Sequence, residues 1–165
     1  MNTLLLSFVQ TILIGIGATL TFDLWALLLK HAFNIAPSDL CLVGRWLRYM
    51  PEGIFRHSTI RSAAPRSNEC TVGWVAHYMI GIAFAMGFVA LAGDNWLQQP
   101  TLLPALLFGI ITVLAPFLIM QPAFGLGFAG AKTPNPRQAR VRSLLNHTAF
   151  GCGLYIFGWL VNWVI

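Results

Sequence analysis

QPAFGLGFAGAKTPNPRQARVRSLLNHTAFGCGLY, residues 121–155, decides how the chain is threaded. It leaves one apolar run, crosses a glycine-rich and then basic segment, and enters a second apolar run that carries His147. The ends of such a segment belong in hydrocarbon and its middle belongs at a charged surface.

The rest of the chain repeats that alternation. Of 165 residues, 57% are hydrophobic and only 9% are charged, whereas a soluble domain carries about 25% charged residues. Mean hydropathy is +0.71. This composition belongs to a membrane protein. The formal net charge of +5 would suggest a nucleic-acid partner in a soluble protein. In an apolar chain the placement of the charges matters more than their sum, and no nucleic-acid partner is expected.

Crossing a bilayer takes about 20 apolar residues. Four runs qualify: 4–29, 72–92, 101–120 and 143–164. The expected fold is all-α, a polytopic membrane protein built as a four-transmembrane-helix bundle, one integral membrane domain over 1–165. Lys30, Arg45, Arg48, Arg56, Arg61 and Arg66 lie in the connection 30–71, and Lys132, Arg137, Arg140 and Arg142 in 121–142. Those are all ten basic residues, and the connection 93–100 has none. The positive-inside rule predicts that both basic connections are cytoplasmic and both termini are not. The first run has no basic n-region and exceeds the ~7–15 apolar residues of a signal peptide, so it reads as a span.

Local signals refine this plan. Pro37-Ser38-Asp39 predicts a helix start. Leu40, Val43, Leu47 and Met50 then share one side, with Arg45 and Arg48 on another. That helix either lies in the membrane surface or packs as a short helix under the bundle. Small and polar residues recur at helical spacing: Gly15, Thr19, Asp23 and Ala26; Gly73, His77, Gly81 and Ala85; Ala105, Gly109, Thr112 and Pro116. Such stripes let helix backbones approach closely. Pro116 is expected to kink its helix and free the Thr112 carbonyl. Pro100 is expected to open the third helix, with Trp96 at the outer interface. Asn135 is expected to cap a helix that begins at Pro136 and runs on into the fourth span.

Gly125-Leu-Gly127-Phe-Ala-Gly130 spells G-x-G-x-x-G. A dinucleotide site needs a strand before that motif and a βαβ unit around it. After an apolar span it reads instead as a flexible helix end. Cys41, Cys70 and Cys152 are an odd number with no C-x-x-C spacing, so three reduced thiols are expected. Asp39, Glu52, His57 and Glu69 form no catalytic motif, so no catalytic residues and no metal site are assigned.

The candidate site is a polar cluster. At about 1.5 Å per residue, Asp23 lies roughly 9 Å, His77 roughly 8 Å and His147 roughly 6 Å inside their spans. Gln121 marks the inner end of the third. Ionisable residues at such depth face a bundle interior, so Asp23, His77 and His147 are expected to face one another, with Gln121 beside them. A structural role is the leading reading, with hydrogen bonds fixing helix register. The alternatives are a proton or cation site in a transporter or channel subunit, and a b-type haem held by His77 and His147, with Gly81 and Gly151 making room for the ring. No cofactor is expected on the leading reading. Lys132, Arg137, Arg140 and Arg142 are assigned to lipid or anion contact. The expected partner is a bilayer with anionic headgroups at the cytoplasmic face, and the glycine-rich faces leave a homodimer open.

Several motifs carry a wider likeness: Gly44-Arg45-Trp46, Gly73-Trp74-Val-Ala-His77-Tyr78, Pro100-Thr-Leu-Leu-Pro104-Ala-Leu-Leu-Phe-Gly109, Gln121-Pro-Ala-Phe-Gly125-Leu-Gly127, Thr133-Pro-Asn-Pro136, Arg142-Ser-Leu, and His147 followed by Phe150-Gly151-x-Gly153-Leu-Tyr155. Over nearly its whole length the chain resembles a family of small bacterial four-span integral membrane proteins of unknown function. The resemblance implies a bacterial inner-membrane location and the same four spans. It implies no activity and carries over no functional residue.

Overall fold

The computed structural model describes residues 3–165. Four of its helical stretches are long and apolar enough to cross a membrane: Leu4–Phe33, Glu69–Ala92, Leu102–Ala123 and Pro136–Val164. Among the described residues there is no strand, which removes the context that a dinucleotide fingerprint requires. The helices in chain order are α1 (Thr3–Phe33), α2 (Leu40–Tyr49), α3 (Glu69–Ala92), α4 (Asp94–Gln98), α5 (Leu102–Ile111), α6 (Gln121–Ala123) and α7 (Pro136–Val164).

Two starts follow the chemistry of their first residues. Asp39 caps α2, its carboxylate accepting from Cys41 N at 3.1 Å. Asn135 Oδ1 accepts from Gln138 N at 3.1 Å, and Pro136 opens α7, which runs unbroken to Val164. An N-cap oxygen satisfies an N–H that the helix itself leaves open, and proline has none to lose there. The third span departs from expectation at its start. It begins at Leu102 with Thr101 as N-cap, so Pro100 stands before it. At Pro116 the chain widens into a π-helical segment, Pro116–Met120, before α6. A ring that cannot donate to residue i−4 is accommodated by this wider turn.

The chain divides into two compact units. The first holds the described residues of Met1–Pro37 with Tyr78–Thr112 and Leu145–Ile165. Its core is Ile14, Ala18, Ala85, Phe88, Trp96, Leu97, Ala105, Phe150, Leu154 and Val161. The small-residue stripes are its helix crossings. On α1, a Cβ at Gly15 would fall 2.7 Å from Ile82 Cα, and Gly81 of α3 lies directly against the Thr19 hydroxyl. A Cβ at Gly109 of α5 would fall 2.5 Å from Gly151 N, and one at Gly153 of α7 would fall 2.7 Å from Ala18 Cα. Trp96 turns inward within this unit. It is 5% exposed, edge-on to Phe88 at 4.6 Å, and donates Nε1–H to Thr101 O at 3.1 Å. Within the short connection 93–100, α4 carries this indole inward.

The second unit is Ser38–His77 with Val113–Leu144. Its core is Leu42, Val43, Ile60, Ala123 and Phe124. Of the two readings of α2, packing describes its apolar face, since Leu42 and Val43 are buried in that core. The two long connections are stitched together. His57 N donates to Ala123 O at 2.8 Å and Ile60 N to Phe124 O at 3.1 Å. The glycine-rich stretch is therefore an ordered turn and not a loose helix end. Gly125 takes φ +83° with its Cα against the Ser58 carbonyl, where any side chain would collide.

The expectation of three free thiols is corrected here. Cys41 and Cys70 are joined in a disulfide, their Cα atoms 3.9 Å apart, and Cys152 alone is free. The pairing spans 29 residues. It follows from where α2 meets the start of α3, which no local spacing encodes.

Candidate functional site

The candidate residues of the first unit enter helix-to-helix hydrogen bonds. Asp23 on α1 accepts from the Tyr78 hydroxyl of α3, Oδ2 to Oη 3.1 Å. His147 on α7 meets Thr112, the C-cap of α5, with Nδ1 2.7 Å from Oγ1. Thr112 also donates to Gly109 O at 2.5 Å. A hydroxyl has one proton and two lone pairs, so the Thr112 oxygen can hold the Gly109 carbonyl and the imidazole at once. The Phe22 ring stands edge-on to that imidazole, centroids 5.7 Å apart. Tyr78 and Thr112 were not named as partners from sequence, although Thr112 lay on a stripe and Tyr78 follows His77.

His77 lies in the second unit, half-buried, with its ring edge-on to Trp74 at 6.1 Å. Gln121 is also there, 8% exposed, with Nε2 3.5 Å from Ser143 Oγ and Oε1 buried without a donor. The haem alternative drew on Gly81 and Gly151 for space. In the first unit that space is taken, by the Thr19 side chain at Gly81 and by the Ala105–Leu106 backbone about Gly151.

The second unit concentrates charge. It holds nine of the ten basic residues, Arg45, Arg48, Arg56, Arg61, Arg66, Lys132, Arg137, Arg140 and Arg142, against Asp39, Glu52 and Glu69, a net +6. Arg45 is committed to structure. Its guanidinium meets Glu69 through two bonds of 2.9 and 2.7 Å and donates to Ala63 O at 3.0 Å. The hydrogen-bonded carboxylate raises Arg45 above its ordinary pKa, against burial, which lowers it. Arg66 pairs with Glu52 at 2.5 Å and lies over the Tyr49 ring, 4.0 Å from its centroid. Arg48, Arg56, Arg61, Lys132, Arg137 and Arg140 are exposed. Among the described residues no group of three or more His, Cys, Asp or Glu could hold a metal ion.

No curated protein and no solved structure matches the chain. A family model does, over residues 12–161, and its description is that of a protein of unknown function, DUF2938. With four apolar helices of spanning length and a match across most of its length, the chain belongs to the DUF2938 family, a family of unknown function.

Proposed function

We propose that this is a bacterial inner-membrane protein whose basic unit lies at the cytoplasmic face against anionic lipid headgroups, and whose intramembrane polar residues fasten helices. The observation that carries the reading is the segregation of charge. Nine of ten basic residues fall in one compact unit, and the 93–100 connection has none. Juxtamembrane basic residues set orientation by remaining on the cytoplasmic side, where anionic lipid attracts them. Exposed Lys132, Arg137 and Arg140 are the headgroup contacts on this reading, with Arg142 beside them on α7. The structural role of Asp23 and His147 is supported by their bonds to Tyr78 and Thr112.

Two experiments test the two halves. Alkaline phosphatase fused after Ile165 is expected to be active and a fluorescent protein fused there dark. The reverse result overturns the orientation. Asp23→Asn is expected to lower thermal stability while leaving pH-dependent ion flux in reconstituted vesicles unchanged from wild type. A flux present in wild type and abolished by this change overturns the fastening role.

A further inference from the structure

Cys41 and Cys70 occupy the first turns of α2 and α3, and each is followed three residues later by a glycine, Gly44 and Gly73. Those glycines let the two backbones touch. A Cβ at Gly44 would fall 2.6 Å from Gly73 N and overlap the Glu69 carbonyl, and one at Gly73 would overlap the Leu40 carbonyl. Arg45 then clamps the same junction through the Glu69 carboxylate, which also accepts from Arg66 N at 2.8 Å. The two sulfurs are therefore held together by contacts that do not depend on the bond between them. Cys70 is an exposed residue and Cys41 a half-buried one, which makes Cys70 the side of the bond more open to an incoming thiol.

A disulfide that alone closes a loop is structural, and opening it releases the chain. Where packing already holds both cysteines, opening costs little structure and closure is favoured by the high effective concentration of the second thiol. We propose that Cys41 and Cys70 form a thiol–disulfide exchange site for low-molecular-weight thiols such as glutathione. A thiolate attacks Cys70 Sγ, the Cys41–Cys70 bond breaks, and Cys41 leaves as a thiolate that takes a proton from water. A second thiol attacks the mixed disulfide, freeing the Cys70 thiol and releasing the small-molecule disulfide. Two thiols are oxidised to one disulfide as the protein disulfide is reduced to two thiols. Oxidised glutathione runs the same steps backwards. On the cytoplasmic orientation proposed above, glutathione would keep the pair mostly open, but exchange itself does not rest on that orientation.

The test uses the full chain in detergent with Cys152→Ser as the only change. The folded protein is equilibrated with reduced and oxidised glutathione in varied ratio, quenched with acid, alkylated and weighed. Both thiols are expected to appear and disappear together and reversibly as the ratio changes, with the fold unchanged by circular dichroism. In Cys41→Ser on the same background, Cys70 is expected to gain one glutathione. A bond that glutathione leaves intact until the protein is denatured makes the disulfide purely structural and overturns the proposal. Two thiols that never join in oxidised glutathione overturn it as well. Loss of the fold on reduction would show that the bond, not the packing, holds the junction, and would overturn it too.

Discussion

Thr112 Oγ1 lies 2.7 Å from His147 Nδ1 and 2.5 Å from Gly109 O. One hydroxyl thus joins α5 to α7. Side-chain hydrogen bonds between membrane helices contribute on average about 0.6 kcal/mol, and up to about 1.7. In a double-mutant cycle of Thr112→Val with His147→Phe, followed by unfolding in detergent, a coupling in that range is expected. Strictly additive effects would show that the two side chains do not cooperate.

Glycines on α3 and α5 should respond in opposite directions. A Cβ at Gly109 meets the Gly151 backbone, and forcing atoms into a packed contact costs about 1–3 kcal/mol. A Cβ at Gly87 meets nothing closer than Phe108 Cζ at 3.8 Å. There alanine should stabilise by about 0.4–1 kcal/mol, since it narrows the unfolded ensemble without a clash. Thermal midpoints of Gly109→Ala and Gly87→Ala in one detergent decide this. A matching fall in both would mean that helix contact is not what distinguishes them.

Arg45 and Glu69 keep 11% and 13% of their side chains exposed. Removing one partner of a fully buried pair costs roughly 3–5 kcal/mol. Glu69 retains the Arg66 N–H when Arg45 is lost, and water is near, so Arg45→Met is expected to cost roughly 2–3 kcal/mol. Arg45 stays charged at any pH that the protein survives, because Glu69 raises it further. Urea titration of the solubilised protein measures the loss. A change below the error of the midpoint would reduce the pair to a surface contact.

Anionic lipid should stabilise the protein through the exposed basic residues of the second unit. Each basic residue near an anionic surface contributes about 1 kcal/mol, and salt screens it. In nanodiscs, replacing phosphatidylcholine with phosphatidylglycerol is expected to raise the melting temperature at low salt. Lys132, Arg137 and Arg140 changed together to glutamine should remove most of that rise. An equal rise in the triple variant would assign the effect to other groups.

The elements that local chemistry dictates are legible in the sequence. Asp39 as a cap, Asn135-Pro136 as a start, and Gly15, Gly81 and Gly109 as close-approach positions each follow from the residue and its near neighbours. What was not readable is pairing between distant segments. Nothing near Asp23 names Tyr78, and the bond from His57 N to Ala123 O leaves no periodic trace. The inward turn of Trp96 was not readable either: an aromatic beside a span signals the interface, and only the course of α4 brings its ring into the core.

Cys41-Leu-Val-Gly44 and Cys70-Thr-Val-Gly73 differ at one position, and they meet reciprocally. Cysteine faces cysteine, and each glycine faces the carbonyl of the residue preceding the opposite cysteine, Leu40 or Glu69. That is a local pseudo-two-fold axis inside one chain. Isologous dimers are built on the same self-complementary geometry. Here the geometry is closed within one chain, and a sequence separation of only 29 between the cysteines keeps the two halves at high effective concentration.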